Sequence, residues 1–168
     1  MKPWKVAALS ALMLMCIMTW PFVRPLIQSE PAVTATAMGG DFVLTRQDNR
    51  EVALSSLVGQ GAWLTFMHAG CGNPCEAELS HLASQSDAPI VVVSLDPSDT
   101  PEAMSQWLGQ RPQLVGLTGS AEDIKSIAAR YRLPVEFADG TPSYPLRWYQ
   151  LGARAELIKL WPAGLVLD

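Results

Sequence analysis

The chain has 168 residues, enough for one domain with a substantial core and a short appendage. Its formal net charge is -4 and no long basic run is present, so nucleic-acid binding has no support. Of its 3 cysteines, Cys16 lies in an N-terminal apolar segment, which leaves any sulfur chemistry of a folded domain to Cys71 and Cys75.

The N-terminus differs in kind from the rest. Lys2 and Lys5 precede an uncharged apolar stretch over residues 6–23, about 18 residues and near the lower limit for a membrane-spanning helix. The lysines keep the N-terminus cytoplasmic and send the remainder to the exported side. A cleaved signal peptide is the alternative, because Ala35-Thr36-Ala37 has the small residues of a cleavage site. That site lies far beyond the apolar core, and an uncleaved anchor over residues 1–24 is favoured. Residues 25–38, with prolines, Ser29, Glu30 and an Ala/Thr run, form a linker. Residues 39–168 then form the domain, anchored to the inner membrane and facing the periplasm. In that oxidising compartment an exposed dithiol oxidises unless a reductant or a metal holds it.

Along the domain, Asp41 to Thr45 and Glu51 to Leu54 are predicted as a hairpin around Gln47-Asp48-Asn49. Ala62 to Met67 is a buried strand. A helix runs from Pro74 to about Gln85, with Cys75, Leu79, Leu82 and Ala83 on one face. Ile90 to Leu95 is a continuous apolar run, the mark of a strand covered on both faces. A helix over Glu102 to Leu108, a short strand over Gln113 to Leu117 and a helix over Ala121 to Tyr131 follow. Leu146 to Leu151 and Glu156 to Trp161 form a closing hairpin over Gly152-Ala153. Strands alternating with helices imply an α/β layer fold, thioredoxin-like in its order, with an N-terminal hairpin extension.

Cys71-Gly-Asn-Pro-Cys75 joins the buried strand to the first helix. Asn73 is predicted as the N-cap, Pro74 as the first helical residue and Glu76 as the partner in a capping box. Backbone N–H groups and the positive end of the helix dipole then face both sulfurs and favour thiolate, with the charge of Glu76 opposing this. Three chemistries fit the pair. A structural disulfide across so short a loop is a poor staple, at roughly 2 kcal/mol in the chain-entropy model. Thiol–disulfide exchange is the second. Soft-metal binding is the third, because paired thiolates suit Cu(I). Zinc wants two more ligands, and the sequence has no further cysteine nearby and no HxxxH.

The domain resembles the Sco (SenC-type) family, membrane-tethered thioredoxin-fold proteins that help build the copper centre of cytochrome c oxidase. The resemblance covers Gly39 to about Pro162. It rests on Gly39-Gly-Asp-Phe-Val-Leu-Thr45, Val52-Ala-Leu-Ser-Ser-Leu-Val-Gly59, the CxxxC of Cys71 and Cys75, Ser94-Leu-Asp-Pro-Ser-Asp-Thr-Pro101 and Leu117-Thr-Gly-Ser120. It implies copper as cargo, with Cys71 and Cys75 as ligands. The family's third ligand is a histidine, and its position falls on Tyr144, whose phenol is a poor donor for Cu(I). Ala69-Gly70 also replaces the usual Thr-His, and Glu76 the usual Pro.

Further residues surround this reading. His68, at the end of the strand entering the site, supplies a third ligand or is simply a strand-end side chain; Met67 is the other candidate donor. His81, six residues beyond Cys75, is solvated. Asp96 either modulates the cysteines or is a turn residue ahead of Pro97. Tyr144-Pro145 resembles the thioredoxin strand that opens with a cis-proline opposite the dithiol, and the plain alternative is a trans proline starting an edge strand.

The reading is a Sco-like, membrane-tethered protein in copper delivery to, or thiol maintenance of, cytochrome c oxidase. Its partner is a copper-receiving oxidase subunit or another thiol protein. The alternative is an enzyme, a metal-free periplasmic thiol–disulfide oxidoreductase that uses Cys71 and Cys75. A third is a degenerate member that only binds a partner.

Overall fold

The computed structural model describes residues 38–138 and 140–164. It opens with β1 (Val43–Arg46) and β2 (Glu51–Ala53), the predicted hairpin, closed by an Arg46–Arg50 turn in which Asn49 takes φ 63°. After a 3-10 turn come β3 (Ala62–Met67) and α1 (Asn73–Gln85). β4 (Ile90–Ser94), α2 (Pro101–Leu108), β5 (Leu114–Thr118) and α3 (Ala121–Arg130) complete the alternating part. A small hairpin of β6 (Glu136–Ala138) and β7 (Thr141–Ser143) precedes the closing pair β8 (Arg147–Leu151) and β9 (Leu157–Pro162).

The main sheet has the order β2-β1-β5-β4-β3-β8-β9. β3, β4 and β5 run parallel at its centre, while β1 and β8 flank them antiparallel. The central strands are buried at every residue, as their continuous apolar runs predict. Alternate side chains enter two cores. Leu64, Phe66, Val91 and Val93 join Ile124, Ile127 and Ala128 of α3 on one face. Trp63, Met67, Ile90 and Val92 join Cys75, Leu79 and Leu82 of α1 and Met104 and Leu108 of α2 on the other. Burying each such leucine contributes about 1.5–3 kcal/mol. α2 lies so close to β5 that a Cβ on Gly116 would stand 2.8 Å from Leu108 Cδ1.

The α/β layer architecture and closing hairpin agree with expectation, and Thr100 and Ser120 cap α2 and α3 through Ala103 N–H and Asp123 N–H. The predicted cap of α1 is corrected. Gly72, not Asn73, is the N-cap, with no side-chain cap bond, and Asn73 is already helical. The cause is the 3-10 turn Ala69–Cys71, after which the chain must reverse through φ 73°, ψ −150°. That conformation is in effect open only to glycine. The β6–β7 hairpin was not anticipated, although Asp139-Gly140 is a hairpin dipeptide. The predicted anchor over 1–24, and the linker apart from Met38, lie outside the described residues. Among the described residues no helix is long and apolar enough to cross a membrane.

Candidate functional site

The site forms where β3 and β4 end, the edge at which α/β folds gather ligands. The chain leaves β3 at Met67, passes through His68 and tightens into the turn that carries Cys71, whose N–H donates to His68 C=O at 3.0 Å. Cys71 and Cys75 are joined in a disulfide with a Cα–Cα distance of 5.9 Å. Cys75 is 0% exposed, packed in the first turn of α1, while Cys71 is half-buried at its mouth. Cys71 is therefore the more accessible of the two sulfurs.

Asp99 holds this turn, and the sequence reading did not single it out. Its Oδ2 accepts from Ala69 N–H at 2.8 Å and from Ser94 Oγ at 2.5 Å. Leu95 N–H donates to Met67 C=O at 2.7 Å, so the ends of β3 and β4 are tied twice. Asp96 is adjacent but committed elsewhere: its Oδ1 accepts from Ser98 N–H at 2.8 Å and Ser98 Oγ at 2.7 Å, a turn of the Asx kind. The Ser98 hydroxyl is the main cause holding the Asp96 carboxyl below its usual range, with the Ser98 N–H and the charge of His68 adding and partial burial opposing.

His68 is buried, and its ring meets Tyr144 edge to face, with centroids 6.0 Å apart. Thus the imidazole and the phenol that stands in the expected histidine position are neighbours. Tyr144 Oη is buried without a hydrogen-bond partner. Burial pushes the phenol pKa well above its usual value, and the charge of Asp99 adds to the effect. The phenol therefore stays protonated at neutral pH and offers no anionic oxygen to a metal. Met67 is wholly buried in the α1-facing core.

Glu76 reaches out to Arg111 in a forked pair, Nη1–Oε1 2.7 Å and Nη2–Oε2 3.3 Å. Its charge is thereby matched beside Cys75 instead of opposing thiolate unbalanced. His81 is exposed on α1 and lies against the Gln85 amide at 2.9 Å, away from the dithiol. Pro145 corrects the cis-proline reading: no cis peptide bond occurs among the described residues, and Pro145 is exposed. The chain passes from Tyr144 toward β8 through the ordinary trans bond, which is favoured by about 0.5–1 kcal/mol for X–Pro. In this bridged state the described residues hold no group of three or more His, Cys, Asp or Glu side chains placed for a metal ion.

Comparison with known proteins places these features in a family. A family model described as SCO1/SenC matches residues 30–147. The chain is 35% identical over 118 residues to Protein SCO1 homolog 1, mitochondrial, of Arabidopsis thaliana, covering 64% of this chain and 35% of that relative. Among solved structures it is similar to Arabidopsis thaliana ScoI with copper bound, at a TM-score of 0.70 and 29% identity, covering 77% of this chain and 90% of that one. It also shares its fold with BsSco, a member of the Sco family of cytochrome c oxidase assembly proteins in which a disulfide switch was identified, at a TM-score of 0.62 and 24% identity. That match covers 74% of this chain and 82% of BsSco. The chain spans about a third of the length of the plant and human SCO1 relatives, 35% and 36%.

Proposed function

Because the chain belongs to the SCO1/SenC family, we propose that it handles copper, or the thiol state of a copper-receiving partner, in the assembly of cytochrome c oxidase. The observation that carries this is the Cys71–Cys75 pair at the start of α1, one sulfur buried and the other half-exposed. Reduced, the pair offers two thiolates at the N-terminal end of a helix, where the helix dipole favours negative charge. Paired thiolates are soft donors suited to Cu(I). Oxidised, the pair is closed to metal, so release of cargo and formation of the bridge are alternatives at one site. The copper-bound state of the Arabidopsis relative supports this reading. Residues 6–23 tether the domain to the inner membrane, and the domain works on the periplasmic side.

Cu(I) titration of the reduced full-length protein against a Cys75→Ser variant tests the reading. The wild type takes up Cu(I) tightly, and the variant loses at least about tenfold in affinity with one thiolate gone. Equal uptake by both would refute it.

The bridge also favours a second reading, thiol–disulfide exchange without metal. Cys71 thiolate attacks a partner disulfide, one partner sulfur leaves as thiolate, and Cys75 then displaces the other as the Cys71–Cys75 bridge forms. On this reading Cys75→Ser accumulates a mixed disulfide through Cys71, visible on non-reducing gels and cleared by dithiol. The trans, exposed Pro145 gives it no docking support of the thioredoxin kind. Absence of that adduct, with tight Cu(I) uptake by the wild type, leaves the copper reading alone.

A further inference from the structure

The turn Ala69–Cys71 that delivers Cys71 has no cap of its own. His68 stands at its N-cap position, with φ −150° and ψ 155°, and makes no side-chain cap bond. The first N–H of such a turn needs an acceptor from elsewhere. Asp99 provides it from thirty residues away, its Oδ2 accepting from Ala69 N–H at 2.8 Å. The carboxylate is itself held in place. Ser94, 0% exposed at the end of β4, donates its hydroxyl to the same Oδ2 at 2.5 Å. Ser94 Oγ in turn accepts from Asp96 N–H at 3.1 Å, and Asp99 N–H donates to Asp96 C=O at 3.0 Å. Thr100, the next residue, caps α2, so the backbone on either side of Asp99 is fixed. The bond from Cys71 N–H to His68 C=O closes the turn on itself, whereas the Asp99 bond ties it to the end of β4.

We propose that Asp99 is a positioning residue for the dithiol: by capping the Cys71 turn from the loop between β4 and α2, it keeps Cys71 in place to meet Cys75 and sets how readily the bridge opens. This rests on the reversible Cys71–Cys75 bridge that both readings above share. An external dithiol opens the bridge by exchange. It leaves as its own disulfide, and its two electrons and two protons pass to the Cys71 and Cys75 sulfurs. While the bridge stands, the S–S bond holds the turn with or without a cap, so losing the carboxylate costs the oxidised form the whole hydrogen bond. Once the bridge opens, an uncapped turn moves, recovers chain entropy and turns its Ala69 N–H to water, so the same loss costs the reduced form less. Asp99 therefore favours the bridged form and keeps the reduced turn poised to close.

The test equilibrates the full-length protein with mixtures of reduced and oxidised dithiothreitol, quenches in acid, and reads the state of Cys71 and Cys75 by alkylation and peptide mass. Asp99→Ala opens the bridge at a roughly 3–10-fold lower ratio of reduced to oxidised reagent than the wild type. Asp99→Asn keeps one acceptor oxygen for Ala69 N–H and Ser94 Oγ, and stays within about twofold of the wild type. Asp96→Ala, which removes a carboxylate that serves Ser98 instead, stays there too. Ser94→Ala removes only the bond that orients Asp99. It shifts the ratio the same way by a smaller factor, and carries the test if Asp99→Ala does not fold. Far-UV circular dichroism of both redox forms checks folding, and a loss of stability shared equally by the two forms leaves the ratio unmoved. An unshifted Asp99→Ala overturns the proposal. So does an Asp99→Asn or an Asp96→Ala that shifts as far as Asp99→Ala. A wild-type bridge that no reagent ratio opens overturns the proposal together with the reversible bridge it rests on.

Discussion

Gly72 decides how the two sulfurs meet. Its φ 73°, ψ −150° turns the chain from the Cys71 turn into α1, and a Cβ there would touch nothing. The demand is therefore on the backbone alone. Gly72→Ala is expected to cost about 1–3 kcal/mol of stability in denaturant unfolding of the oxidised protein. A loss below about 0.5 kcal/mol, within the ordinary range of surface substitutions, would mean that the turn has another conformation available. The pairing of Cys71 with Cys75 was legible because their spacing and flanking elements are local facts. Asp99 was not, because its role is a contact with Ala69 thirty residues away. The sequence shows only a second aspartate after Asp96 in the block ending at Pro101, with nothing to say which carboxylate turns toward the cysteines.

At the scale of elements, α1 presents Cys75, Leu79 and Leu82 to the core and Glu76 to Arg111. The guanidinium and carboxylate are both partly exposed, at 30% and 46%. The pair therefore contributes at most about 1 kcal/mol to stability. Arg111→Ala leaves the Glu76 charge unmatched beside Cys75, which disfavours a second negative charge there. The reduced dithiol of this variant should react more slowly with iodoacetamide at fixed neutral pH, and an unchanged rate would show that Glu76 does not reach the thiol electrostatically. β3 and β4 were legible from unbroken apolar runs, and α3 from its apolar spacing. The start of α1 was misplaced by one residue because Asn is a better cap than Gly by propensity, whereas the positive φ forced by the preceding turn overrides propensity. β6 and β7 were missed because three-residue strands carry almost no periodicity.

For the molecule as a whole, acid stability follows from its carboxylates. Burial alone would push Asp41 up, but the Ser55 hydroxyl and backbone N–H, with the Phe42 N–H, outweigh it and hold the carboxyl below its usual range. A group depressed in the folded state contributes stability that is present above its unfolded pKa, about 3.9, and is lost as pH falls through the lower folded value. Asp96 has the same sign. Stability should therefore fall below about pH 4, and Asp41→Asn should flatten that fall in urea unfolding followed across pH. An equally steep fall in the variant would move the effect to other groups. The layer order and the closing hairpin were legible because alternation of strand and helix leaves few topologies. The pairing of β1 with β5, which carries the N-terminal hairpin to one side of the sheet, was not, because it joins segments seventy residues apart.

On the proposed copper reading, one pair of sulfurs alternates between a bridge and a copper site. Cu(I) uptake by the full-length protein, prepared once with the Cys71–Cys75 bridge intact and once reduced, tests it most directly. The account predicts tight uptake of one Cu(I) per chain by the reduced form and none by the bridged form, with uptake restored when the bridge is opened by a dithiol. Equal uptake by both forms, or uptake by neither, would contradict it.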